Sequence, residues 1–238
     1  MLNTIVIEGD KNEENKNNLT PVKFQTHHII EIFMHFLPKI DLDGSTKLTI
    51  RFAKRPSNEE IYHCSKSFKV SWYYVEPEKI QKEKIDNNRD LFYLELIGNV
   101  LKEIAQINQC DTSVLQKIEE AMYKVREQKF TLMLPIKKLS KTSMDKVYKA
   151  SVVRILCPQG EKWQVKVSTR DEVIGQADLS TNYKYVSQEN LYVKMEWQDD
   201  RFLIYDRLRR VVVAVIPAEK VLQRYSFNGK YNVEELKK

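Results

Sequence analysis

Apolar positions along the chain follow two periods, and the period switches near residue 130. Before that point helical spacing dominates. Ile29, Ile32, Phe33, Phe36 and Leu37 recur at intervals of three and four over 25–37, which predicts an amphipathic helix ending before Pro38. Over 89–108, Leu94, Ile97, Leu101, Ile104 and Ala105 make one stripe, widened by Leu91, Phe92, Val100 and Ile107. So broad an apolar face predicts a central helix. Another helix is expected over 113–128, opened by the capping-box pattern Ser113-Val114-Leu115-Gln116 and continued by Ile118, Met122 and Val125. Strands are expected at 2–8, around Leu48, Ile50 and Phe52, and over 67–75, where Phe68, Val70, Trp72 and Tyr74 alternate with other residues. The polar run DKNEENKNNLT at 10–20 reads as a loop, and Asp41–Ser45 as a turn.

After Gln128 the spacing falls to two. Phe130, Leu132, Leu134 and Ile136 alternate, and further strands are expected at 147–157, 162–169, 172–178, 192–198, 201–206 and 210–216. Pro158-Gln159-Gly160 and Asp199-Asp200 read as hairpin turns. Strands this close in sequence pair antiparallel, because parallel neighbours need a longer crossover. A short helix is expected at 218–227 and a frayed end at 228–238. The fold class is therefore α+β: N-terminal helices on a small sheet over 1–138, followed by a C-terminal antiparallel β-meander over 139–238. The lysine-rich run 137–149 makes the junction.

Composition agrees with a globular chain able to bury a core. Of its 238 residues, 42% are apolar and 30% charged. No window reaches the roughly 18 unbroken apolar residues of a spanning helix. The start MLNTIVIEGD lacks a basic n-region and a long apolar run, so no secretory signal is expected. Cys64, Cys110 and Cys157 are an odd, widely spaced set, which argues for reduced thiols and a cytoplasmic location over a disulfide framework. The Lys-, Asn- and Ile-rich style points to an AT-rich bacterial genome.

Motif chemistry is absent. There is no phosphate loop, dinucleotide fingerprint, GxSxG elbow, CxxC or HExxH. His27, Glu31 and His35 are spaced along one helix face opposite Ile29, Phe33 and Phe36, which is the solvated side of an amphipathic helix; its ends are about 12 Å apart, too far to share one ion. Asp41-Leu42-Asp43-Gly44 begins like a calcium loop but places its glycine early, and Phe52 stands where the bidentate Glu belongs. No histidine is placed by the sequence beside a cysteine to activate it. Glu189, Glu196, Asp199, Asp200 and Asp206 are balanced by bases over 177–216, as on a solvated sheet face. No catalytic residue, cofactor or metal is expected.

What remains is charge. The formal net charge is +6, and residues 111–176 hold 13 basic against 8 acidic side chains. Two clusters stand out: Lys137, Lys138 and Lys141, continued by Lys146 and Lys149, and Arg207, Arg209 and Arg210 beside Asp206. Both residue sets suit contact with an acidic protein surface or with phosphates. Tyr183, Tyr185 and Tyr192 interleave aromatics with the basic residues, the pattern used by single-strand nucleic-acid binders.

The order of elements resembles that of cytosolic immunity-type proteins from bacterial toxin–immunity loci. The residues carrying it are LFYLELIGNVLKEIAQIN (91–108), the helix after it, KFTLMLP (129–135) and DKVYKASVVRI (145–155) opening a meander. The resemblance implies a non-enzymatic inhibitor that occludes one toxin. Inhibitors of nuclease toxins are often acidic, so this basic chain is expected to meet an acidic toxin surface, through Lys137, Lys138, Lys141, Arg207, Arg209 and Arg210. The alternative expectation is a nucleic-acid-binding protein using the clusters at 137–149 and 207–210. No membrane partner is expected.

Overall fold

The computed structural model describes residues 1–9, 21–55, 60–76, 89–179, 191–225 and 231–237, so the loop expected at 10–20 lies outside the described residues. The backbone separates into two units, Met1–Leu132 and Met133–Lys238. The fold is α+β, with four helices and three sheets among the described residues.

In the first unit, β1 (Thr4–Glu8), β2 (Lys47–Phe52) and β4 (Val70–Val75) run parallel. β3 (Tyr62–Ser65) is antiparallel to β4, and the order is β1-β2-β4-β3. β4 begins later than the sequence pattern predicts because residues 66–69 form the turn from β3, with Lys69 at φ 52°. Alternation sorts the strands by face. Ile5, Ile7, Leu48, Ile50, Phe52, Tyr73 and Val75 are buried.

That buried face lies under the helices: Phe52 meets Tyr93 edge-to-face, ring centroids 6.4 Å apart. The predicted 25–37 helix is two pieces, α1 (Val22–Gln25) and α2 (His27–Phe36). Thr26 makes the break, its hydroxyl donating to the Val22 carbonyl at 2.9 Å. α3 (Arg89–Ile107) and α4 (Thr112–Glu127) complete the layer. The cap of α4 is Asp111, which accepts from the Ser113 N–H at 2.7 Å. This replaces the expected Ser113 capping box: a carboxylate at that point also faces the positive end of the helix dipole. α3 and α4 approach closely at Gly98, where a Cβ would stand 2.1 Å from Met122 Sδ.

Among the described residues the second unit is built of strands and one turn of 3₁₀ helix, Lys137–Leu139. β5 (Leu132–Pro135) begins at the division between units and joins a sheet of order β5-β7-β8-β9. Here β6 (Lys141–Thr142) also pairs with β7 (Lys149–Cys157), followed by β8 (Gly160–Ser168) and β9 (Val173–Asp178). The other sheet is a simple meander: β10 (Lys194–Gln198), β11 (Arg201–Tyr205), β12 (Val211–Ile216), β13 (Val221–Tyr225) and β14 (Tyr231–Glu235). Both expected turns, at 158–159 and 199–200, join hairpins.

The sequence expectations at the C-terminus are overturned. Over 218–225 the expected helix is not formed; these residues hold a turn and β13, and 226–227 lie outside the described residues. Residues 231–235 are a strand and not a frayed tail. Leu222 is fully buried, so pairing with β12 and core contact outweigh the helix preference of Ala218-Glu219-Lys220. Beyond β14, Gln176 and Lys237 exchange backbone hydrogen bonds of 2.8 and 2.9 Å, tying this end to β9. Gly175 makes that possible: a Cβ there would lie 2.6 Å from Leu236 Cβ.

Both sheets feed one core, with Val152, Trp163, Val165, Phe202, Ile204 and Val215 at its centre. One ion pair is sunk at its side. Arg154 Nη2 donates to Glu161 at 2.7 Å, and Trp163 Nε1 donates to the other carboxylate oxygen at 2.6 Å. The two charged side chains are 5% and 0% exposed. Removing one partner strands the other in a low dielectric. Glu161→Leu is therefore expected to lower stability by about 3–5 kcal/mol, whereas Arg154→Leu with Glu161→Leu should cost less than Glu161→Leu alone. Urea titrations of the three variants and the parent protein check this. Gly175→Ala should cost about 1–3 kcal/mol by forcing Leu236 aside, with faster amide exchange at Gln176 and Lys237.

Candidate partner-binding surface

The six basic residues singled out by sequence all fall in the second unit: Lys137 and Lys138 on the 3₁₀ turn, Lys141 on β6, and Arg207, Arg209 and Arg210 on the β11–β12 connection. Lys137 and Lys138 are exposed on the 3₁₀ turn, which Leu139, fully buried, pins to the core. Lys141 follows on β6. Its carbonyl accepts from Trp197 Nε1 at 3.2 Å, so the lysine strand is latched to β10.

The loop after β6 is held by side chains. Ser143 Oγ donates to Asp145 at 2.6 Å, and Asp145 accepts from the Val147 N–H at 3.0 Å. The Tyr148 N–H donates to Ser143 Oγ at 2.9 Å, and Lys146 takes φ 61°. The Asp145 carboxyl is held below its ordinary range, first by the Ser143 hydroxyl and then by the Val147 N–H. The tip of this pinned loop is Met144, 95% exposed, with Val147 beside it.

The second turn repeats the design. Asp206 accepts from the N–H groups of Leu208 (2.8 Å) and Arg210 (3.0 Å), and from Arg210 Nε (2.9 Å) and Nη2 (2.6 Å). Arg209 takes φ 57°. Leu208 stands out at 71% exposure. Arg210 is thus committed to holding the turn, which removes it from the set of freely presented cations. Among the described residues no carboxylate pairs with Arg207 or Arg209, nor with Lys137 or Lys138.

Strand β10 stands between the two turns. Lys194 pairs with Glu196 at 2.6 Å and lies 5.0 Å from the centre of the Tyr205 ring, and Tyr205 donates to Glu196 at 2.6 Å. Lys194 and Tyr205 hold the Glu196 carboxyl below its ordinary range, and the charge of Lys141 adds to that. Glu196 is therefore a local counter-charge between the lysine strand and the arginine hairpin. Tyr148 stacks on Trp197 with centroids 6.3 Å apart and planes at 19°, and both are half-buried. Sequence reasoning missed Lys194, Tyr148 and Trp197. The alternating pattern marked them as strand residues, but no local signal pairs 141 with 197.

The other expected features fall elsewhere. Tyr192 is buried and donates to the Leu179 carbonyl at 3.1 Å, so it is no stacking residue. Tyr183, Tyr185 and Glu189 lie outside the described residues. Asp199 and Asp200 are exposed turn residues. His27 and Glu31 are half-buried and His35 exposed, as for the outer side of α2, but the adjacent His28 is buried, with Nε2 3.3 Å from Asp90 Oδ2.

Asp41 and Asp43 build a turn: Asp41 accepts from the Gly44 N–H and Asp43 from the Ser45 N–H, both at 2.8 Å. Asp43 also accepts from Tyr62, at 2.5 Å, and from Ser71. Burial alone would raise its carboxyl, but the hydrogen bonds from Ser45, Ser71 and Tyr62 outweigh that and keep it low. Cys64 and Cys110 are half-buried and donate to carbonyls of the same turn, and Cys157 is buried; all three are free thiols. Burial, then the charges of Asp41 and Asp43, push the Cys110 thiol up, away from a reactive thiolate.

Among the described residues, no group of three or more His, Cys, Asp or Glu side chains is placed to hold a metal ion. No helix among them is long and apolar enough to cross a membrane. A hollow of about 500 Å³ in the first unit, between β4 and α3, contains Tyr73 donating to Glu103 at 2.5 Å. Burial and that carboxylate raise the Tyr73 phenol, so it stays protonated. No family model matches the chain, and no curated protein or solved structure matches it significantly.

The Asp206 carboxyl is held low first by Arg210, so the order it confers on the turn is complete above the ordinary value of 3.8 and is lost as pH falls through the lower folded value. Amide exchange at Leu208 and Arg210, corrected for intrinsic rates, should rise below that pH. In Asp206→Ala the protection should already be missing at neutral pH.

Proposed function

We propose that the chain is a non-enzymatic protein-binding module that grips an acidic protein surface with its second unit. One observation carries this reading: two Asp-pinned turns each display an apolar side chain, Met144 or Leu208, beside cations without counter-ions among the described residues. Met and Arg are enriched at protein interfaces. A turn already fixed by its own hydrogen bonds loses little entropy on binding. The cations supply orientation and encounter rate, while apolar and aromatic contacts supply affinity.

In the immunity-type reading the partner is an acidic toxin domain in the cytoplasm, and the mechanism is occlusion of its working face. Nucleic acid is the alternative occupant of the same clusters. The apolar tips favour protein, since a phosphate backbone offers Met144 and Leu208 nothing to bury.

Biolayer interferometry against the product of the adjacent gene tests the reading. Binding should weaken as salt rises. Replacing Lys137, Lys138, Lys141, Arg207 and Arg209 by Glu should weaken it at least about tenfold through loss of complementary charge, with an unchanged circular-dichroism spectrum. Met144→Ser with Leu208→Ser should raise the off-rate. Failure to bind that product, or binding indifferent to both sets of changes, overturns the proposal.

A further inference from the structure

The sheet of the first unit has a second face, opposite the helices. Register places Val6, Thr49, Trp72 and His63 in one row across it and Glu8, Arg51 and Tyr74 in the next. Trp72 and His63 stack, centroids 5.7 Å apart and planes at 25°. His63 is exposed, and Trp72 and Tyr74 are half-buried. Thr49, at 2% exposure, lies beneath them as the floor. Arg51, Trp72, His63 and Tyr74 together line a hollow of about 320 Å³, within the ordinary size range of ligand sites.

Three aromatic rings and a guanidinium on an open pleated face are not needed for the core, which lies on the other side. Side chains two apart on a strand are about 6.6 Å apart, so Trp72 and Tyr74 offer neighbouring but separate rings. Cations frame the face at both ends. Lys47, Lys66 and Lys69 gather where the β3–β4 turn meets the start of β2, the Lys47 N–H donating to the Lys69 carbonyl at 3.3 Å. Lys54 follows the other end of β2. None of these four pairs with a carboxylate among the described residues. The nearest counter-charge on the face is Glu8, 3.5 Å from Arg51 Nε. It fixes the guanidinium from one side.

We infer that this face is a stacking platform for single-stranded nucleic acid, with bases on Trp72, His63 and Tyr74 and phosphates on the lysines at its ends. Every base has a π-face, so stacking on these rings is tolerant of sequence. The platform shares no residue with the turns of the second unit, so it is independent of the protein-binding proposal.

The test is fluorescence anisotropy with short fluorescein-labelled oligo(U) and oligo(dT), with unlabelled heparin as a competitor lacking bases. At about 50 mM salt the parent protein should bind at least one of the oligonucleotides, and affinity should drop steeply toward about 200 mM. Trp72→Ala should weaken binding about tenfold or more, the effect of losing a stacked base. Trp72→Phe should retain most of it. His63→Ala, at an exposed position, should act in the same direction without disturbing the interior. Lys66→Glu with Lys69→Glu should lower both affinity and salt dependence. A variant reversed only at Lys137, Lys138 and Lys141 should bind the oligonucleotides as the parent does.

Absence of binding to both oligonucleotides at low salt overturns the inference. So does binding that survives Trp72→Ala and His63→Ala and is displaced by heparin alone, which is plain polyanion attraction. Loss of oligonucleotide binding only in the Lys137/Lys138/Lys141 variant would move the site to the second unit and equally overturn it.

Discussion

The two-residue period of a β-strand is the constraint on which this molecule rests. Every strand must send alternate side chains to opposite faces, so each sheet has to decide what covers each side. In the first unit α1, α2 and α3 cover one side, and Ile7, Leu48, Ile50 and Phe52 disappear beneath them. The other side is left to Arg51, Trp72 and Tyr74. In the second unit two sheets turn their apolar faces into one core, with Trp163, Val165, Phe202 and Ile204 among its members. The charged and polar alternates are mostly displaced outward, while most candidate binding groups of this unit, Lys137, Lys138, Met144, Arg207, Leu208 and Arg209, stand in turns between strands.

Aspartate holds four of the described turns and caps. Asp43, Asp111, Asp145 and Asp206 each accept a backbone N–H two residues ahead. Such local bonds offer the chain an alternative to ladder or helix pairing, which is why these residues stop elements cleanly. The consequence differs with location. At Asp43 the carboxylate is drawn inward by Tyr62 and Ser71 and locks a turn to two strands. At Asp145 and Asp206 the same chemistry is at the surface, where it fixes Met144 and Leu208 in the open.

The Arg154–Glu161–Trp163 group is the second unit's internal polar commitment. Arg154 lies opposite Trp163 in the β7–β8 register, and Leu156 opposite Glu161. The pair therefore bonds diagonally across the hairpin. A slip of one residue would move the pair's charges to the outer face and their neighbours inward. The group therefore adds to the register already set by the alternation of Val152, Trp163, Val165 and Val167 with Lys162, Gln164 and Lys166.

The sequence by itself determined the local elements. The stripes of 89–108 and 113–128, the alternation after 130 and the turn residues at 41–45, 158–160 and 199–200 are short-range patterns, and the α+β class follows from them. It also located the two cationic clusters, since charge density is a property of the chain. Tertiary structure decided the rest. It made strands of 221–225 and 231–235, because Leu222 gains burial only beside β12. It tied Arg210 to Asp206 while leaving Arg207 and Arg209 presented, set Trp197 against Lys141, and aligned His63 with Trp72 on an open face. Each of these depends on residues distant in sequence or on a direction in space, and hydrophobic periodicity carries neither.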